Sequence, residues 1–182
     1  MSTTTDISTA EQLWQANLPQ RCELVRGELR MMSPTGGEHG VVTMNMAAPM
    51  ATFVKQHRLG YVFGAETGFI IARDPDSVRA PDVAFVRNDR VEGKIPQRFF
   101  PGAPDIAVEV LSPSESDSDV CEKTEAWLAG GCSEVWLVNP QRKTAFKCTV
   151  SGKSVDRKQV ETFTSDLLPG FRLEVAELFQ LD

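Results

Sequence analysis

Residues Pro104–Leu111, PDIAVEVL, carry the reading on which the fold depends. Ile106, Val108 and Val110 alternate with Asp105, Ala107 and Glu109, the period of a β-strand with one apolar face. Side chains at i, i+2 and i+4 share a face. Asp105, Ala107, Glu109 and Leu111 therefore point one way, and the three branched residues point the other. Downstream, residues 119–129 read as a helix and SEVWLV, 133–138, as a further strand. Strand, helix, strand is a crossover, whose two strands lie parallel and connect with right-handed sense. Glu109 stands near the end of its strand among small and apolar residues. A buried carboxylate is costly unless paired or bound to a cation, so this residue needs either a structural partner or a chemical role.

Outward from that unit the pattern is antiparallel. TAEQLWQA, residues 9–16, reads as a short helix capped by Ser8 or Thr9, with Glu11 in its first turn. CELVRGELRMM, residues 22–32, reads as a hairpin turning at Arg26-Gly27, where glycine supplies a positive φ. Residues 38–58 form the longest helical stretch, with a C-terminal signal at Leu59-Gly60 and Pro49 expected to kink or divide it. YVFGAETGFIIA (61–72) and RAPDVAFV (79–86) read as strands flanking the turn RDPDS, and TAFKCTV (144–150) and QVETFT (159–164) as a later antiparallel set. LPGFRLEVAELF (168–179) adds a strand and a terminal helical turn. The expected class is α/β, a mixed sheet with helices on its faces, in a single domain over 1–182 with residues 1–9 a frayed end.

Composition narrows the function classes. At 182 residues and 41% hydrophobic, the chain has material for a substantial core. No apolar run approaches the roughly 20 residues that span a bilayer, and MSTTTDISTAEQLW lacks the basic start and apolar centre of a signal peptide. A cytoplasmic protein is expected. Cys22, Cys121, Cys132 and Cys148 form no C-x-x-C pair, which argues against a zinc site or a secreted disulfide framework and for reduced, mostly buried thiols. The net charge of −6 argues against tight, general DNA binding, although Lys94, Arg98, Arg142, Lys143 and Lys147 are candidates for a local basic patch.

Three Pro-Asp pairs occur. Asp76 lies in the turn RDPDS and reads as a turn residue. Asp105 precedes Glu109 by four residues, about 13 Å along a strand, too far to share a metal with it. Asp82 heads a different strand that can lie beside Glu109. Two carboxylates on adjacent strands suit a hard divalent cation such as magnesium. On the following helix Val120, Lys123 and Trp127 share a stripe. Lys123 can thus meet the carboxylates, although alone it reads as a lysine whose stem packs while its ammonium reaches water. Glu23 alone reads as a solvent-facing strand residue. His39, at the start of the long helix, can face a phosphate or an acid or have no role, and His57 reads as a helix-end residue without one.

The ordered set ELVRGELRMMSP, His39, APDVAFV, PDIAVEVLSPS, Lys123, GGCSEVWLVNP and LLPGFRLEVAELF resembles the Uma-type endonuclease family, abundant in cyanobacteria and part of the PD-(D/E)xK nuclease superfamily. The resemblance covers roughly residues 10–180. It implies a restriction-endonuclease-like mixed sheet flanked by helices. The superfamily places an acid-x-Lys triplet on the second strand, whereas here Leu111 holds the lysine position. In the Uma-type variant the lysine comes from the next helix, and Lys123 fills that place. Trp127 and Gly131-Cys132 stand where the family usually has Tyr and Gly-Val.

What the resemblance implies for function is a Mg2+- or Mn2+-dependent endonuclease acting on DNA. Asp82, Glu109 and the Val110 carbonyl would bind the metal. Lys123 would orient the attacking water or stabilise the transition state. Glu23 would complete the site as a further ligand or by positioning water or Lys123. A homodimer, one active site per DNA strand, is expected by resemblance alone. The competing expectation, favoured by the acidic charge, is a nuclease-fold binding module without catalysis.

Overall fold

Every residue of β8 (Ile106–Val110) is buried. β6 (Val83–Arg87) runs antiparallel on one side of it, with Val83 opposite Val108. β9 (Glu134–Asn139) runs parallel on the other, with Ile106 opposite Glu134. α3 (Asp117–Ala129) connects β8 to β9, so the expected crossover is present. The sheet extends through β3 (Gly60–Gly64), β10 (Thr144–Ser151) and β11 (Ser154–Val160) in the order β11-β10-β9-β8-β6-β3. The structure, a computed structural model, describes residues 7–91 and 93–180; the expected frayed end falls, for residues 1–6, outside the described residues.

The alternation read in PDIAVEVL sorts the core into two layers. Ile106, Val108 and Val110 face a cluster with Val42, Met46, Met50 and Val54 of α2 (Gly37–His57) and with Phe163, Phe171 and Leu178. Those last three come from β12 (Thr162–Ser165), β13 (Leu168–Glu174) and α4 (Val175–Leu178). Ala107 faces a second cluster with Val120, Trp127 and Leu128 of α3. The sheet is thus covered on both faces, and the class is α/β with mixed sheets flanked by helices.

A second, five-stranded sheet has the order β2-β1-β5-β4-β7. Its strands are β1 (Cys22–Val25), β2 (Glu28–Met31), β4 (Phe69–Ala72), β5 (Ser77–Arg79) and β7 (Phe100–Pro101). The β1–β2 hairpin turns at Arg26 and Gly27, both with positive φ, as the sequence predicts. α1 (Ala10–Ala16) is capped by Thr9, whose side chain accepts from the Gln12 N–H. Asp76, in a turn by its sequence, is buried and ties α1 down by accepting from the Ala10 N–H at 2.8 Å and pairing with Arg73.

Several expectations change. Residues 61–72 are two strands in different sheets, separated by a turn at Ala65-Glu66. QVETFT likewise divides at Glu161 between β11 and β12. Pro49 does not divide α2, which runs unbroken through it, held to the sheet by Met46 and Met50 on either side. The left-handed residue that ends α2 is Arg58; Gly60 instead opens β3, where a Cβ would stand 2.1 Å from the Val86 carbonyl oxygen. Of the four thiols, Cys132 and Cys148 are buried, Cys22 is half-buried and Cys121 is exposed.

Candidate active site

β8 delivers Glu109 to the face that α3 covers, and α3 answers with two donors one turn apart. Lys123 Nζ lies 3.1 Å from Glu109 Oε2 and Trp127 Nε1 donates to Oε1 at 2.7 Å. The stripe Val120-Lys123-Trp127 therefore does face the sheet. Its position is fixed at the helix start, where the Ser116 side chain accepts from the Asp119 N–H and Asp119 returns the bond in a capping box. Lys123 is half-buried and also bonds Glu115 Oε1 at 3.2 Å. Glu115 in turn accepts from the Ser112 N–H at 2.8 Å, closing the loop between β8 and α3.

Asp82 arrives from the other strand. Its backbone N–H donates to the Val108 carbonyl at 3.1 Å, and its Oδ2 accepts from the Val110 N–H at 2.8 Å. The β6–β8 pairing ends with Val83 opposite Val108, and Asp82 lies one residue before it. His39 Nε2 stands 3.4 Å from Asp82 Oδ2, and the ring's other nitrogen is 3.4 Å from the Thr43 hydroxyl. His39 thus meets an acid, one of the two roles open to it. His57 bonds its own helix at Phe53 O and stacks on the Phe53 ring.

Glu23 is 3% exposed, which overturns the solvent-facing reading. Its Oε2 pairs with Arg79 Nη1 at 3.2 Å and its Oε1 accepts from the Ala80 N–H at 3.0 Å. Arg79 also lies 3.5 Å from Glu122 Oε1. Glu23 thereby anchors the short connection from β5 to β6 that presents Asp82. Val110 meets Asp82 through its N–H, while its backbone also helps to raise the basicity of His39.

The charges are unevenly matched. Burial pushes the Glu109 carboxyl up to about 7; Lys123 opposes this, and the charges of Asp82 and Glu23 add to it. Burial would lower the Lys123 ammonium, but Glu109, Glu115 and Glu23 outweigh it and hold its pKa above the ordinary lysine value. His39 is raised chiefly by its hydrogen bond to Asp82, against burial. Lys123 is therefore a fixed positive charge, and the carboxylates still exceed the cations around them.

That excess bears on a divalent cation. Among the described residues no group of three or more His, Cys, Asp or Glu is placed to hold a metal ion. Magnesium, however, is commonly held by one or two carboxylates with water completing its shell. Asp82 and Glu109, whose charges act on one another with Glu109 unfavourable as a buried anion, fit that donor chemistry. Asp82 and His39 also line an open cleft of about 570 Å3 between α2, the segment before β1 and the β3–β4 turn.

A family model described as "Uma2: Putative restriction endonuclease" matches residues 10–176. The chain belongs to this family. Among solved structures it is similar to "a putative nuclease belonging to DUF820 from Anabaena variabilis ATCC 29413", with a TM-score of 0.78 at 20% identity, over 94% of this chain and 97% of that one. At that identity the likeness shows the fold. No curated protein matches the chain. Within this Uma2-family fold, sequence reasoning missed Glu115, Arg79 and the bond from Trp127 to Glu109. Arg79 closes the short strand Ser77-Val78-Arg79, whose single apolar residue gives no pattern to read. Glu115 sits in a loop, where no periodicity points.

Among the described residues no helix is long and apolar enough to cross a membrane. Of the candidate basic patch, Lys147 is engaged with Glu134 at 2.8 Å.

Proposed function

We propose that the protein is a metal-dependent phosphodiesterase of the PD-(D/E)xK type that cleaves DNA. The observation that carries this reading is the Lys123–Glu109 pair on β8, with Asp82, remote in sequence, bonded to the adjacent Val110 N–H and its charge acting on Glu109. Asp82 and Glu109 would hold Mg2+ or Mn2+, with the Val110 carbonyl as a further oxygen donor. A cation so held supplies a water of lowered pKa and neutralises charge on the phosphate under attack.

The chain's own residues do the rest. Lys123, a fixed ammonium between Glu109 and Glu115, is suited to orienting the attacking water or stabilising the extra charge of the transition state; being held charged, it is unsuited to acting as a general base. Both oxygens of Glu109 have partners, Oε1 in Trp127 and Oε2 in Lys123, so a cation would share Glu109 with the ammonium. Glu23 is committed to the Arg79 guanidinium and the Ala80 N–H, which favours a positioning role for it. The family resemblance supports a homodimer with one site per strand.

The test is incubation of purified protein with plasmid DNA and Mg2+ or Mn2+, with Asp82→Ala and Glu109→Ala as controls. Cleavage by the wild type and its loss in both variants is expected. No cleavage of DNA or RNA, together with no heat of metal binding, would favour the non-catalytic module.

A further inference from the structure

We propose that Arg21 is the residue of the cleft that grips a backbone phosphate of the substrate, an inference that rests on the phosphodiesterase reading above and names a contact it lacks. Five permanent cations in the described residues are drawn off the open surface: Arg21, Arg79, Arg90, Lys123 and Lys147. Four of them meet a carboxylate. Arg79 pairs with Glu23, Arg90 with Asp105, Lys123 with Glu109 and Lys147 with Glu134. Arg21 alone among them has no carboxylate of the described residues within ion-pair distance. Its Nη2 donates to the Ala80 carbonyl at 2.8 Å, and its Nε is buried without a partner. Withdrawing a guanidinium from water without an anion is unfavourable, and this chain avoids it at the four comparable positions.

The place of Arg21 names the missing anion. It lines the same cleft as His39 and Asp82, beside Thr35 and Thr43. The bond to Ala80 holds it two residues from Asp82, on the segment that Glu23 anchors from the other side. An arginine fork matches a phosphate in geometry as well as charge. A phosphodiester lying in this cleft would meet Arg21 and Asp82, which both line it. The contact reads the backbone and carries no base specificity.

The experiment measures binding of two fluorescein-labelled duplexes of unrelated sequence, with Ca2+ replacing Mg2+, across a range of salt. Arg21→Gln is expected to weaken both duplexes by the same factor, about tenfold or more. It should also reduce the slope of log K against log salt by about 1, the signature of one lost phosphate contact. Arg21→Lys, which keeps the charge, should keep the slope while losing part of the affinity. An unchanged slope in Arg21→Gln, or weakening of one duplex only, overturns the assignment even where metal-dependent cleavage persists. Failure of the wild type to bind any DNA overturns the phosphodiesterase reading and this inference together. Should Arg21→Gln not fold, titration of the wild type with inorganic phosphate decides: the guanidinium NMR signal of Arg21 moves if the assignment holds, and a signal that stays fixed overturns it.

Discussion

Glu109 concentrates the electrostatic tension of the molecule, because β8 buries it while Asp82 and Glu23 add negative charge nearby. Its folded-state pKa of about 7 lies above the ordinary 4.5. Between those values the folded chain holds a proton that the unfolded chain has released, so stability falls as pH rises through that window. His39, raised by Asp82, acts in the same sense: its contribution is present below 6.5 and is lost as pH rises through its higher folded value. The metal-free protein is therefore expected to lose Tm between about pH 5 and about pH 8, and Glu109→Gln to remove much of that loss. A wild-type Tm that is flat or rising over the range contradicts this. Lys123 has a separate test. Lys123→Met should leave metal binding by calorimetry in place and abolish cleavage, whereas equal cutting by that variant removes Lys123 from the chemistry. The contact between Glu109 and Lys123 was legible from period and spacing, since each stands on a strongly patterned element. The burial of Glu23 was not, because its partner Arg79 lies 56 positions away and local pattern carries no trace of it.

α3 is the element that turns position into function, holding Lys123 and Trp127 one turn apart against Glu109. Its first turn depends on Ser116, whose hydroxyl oxygen accepts from the Asp119 N–H at 3.2 Å. Ser116→Ala is expected to cost about 1 kcal/mol of stability, measured by urea denaturation; no change would show that the cap is replaceable. The crossover from β8 through α3 to β9 was readable because strand and helix periods alternate over a long enough stretch. Residues 61–72 and 159–164 were misread as continuous strands because each crosses from one sheet to another within a few residues. Apolar residues lie on both sides of such a crossing, and local pattern is silent on which sheet a segment joins. Pro49 misled for a different reason. One lost helical bond is a small deficit beside the burial of Met46, Met50 and Val54 against the sheet.

The whole chain carries a surplus of acid, with 25 acidic to 19 basic residues, and among the described residues its buried and half-buried cations meet carboxylates except for Arg21. Affinity for a polyanion must then come from a few placed contacts and from bound cations, which together offset an unfavourable net charge. The layered sheet makes that placement possible. Asp82, just before β6, bonds the Val110 N–H beside Glu109 on β8, α3 covers one face, and α2 sets His39 against Asp82 in the lining of the cleft. The most direct test of this arrangement is an anomalous difference map from crystals soaked in Mn2+. One peak bonded to both the Asp82 and Glu109 carboxylates, with Lys123 Nζ still beside Glu109, is predicted. Manganese bound elsewhere with those two carboxylates bare, or Asp82 and Glu109 too far apart to share one ion, would contradict it.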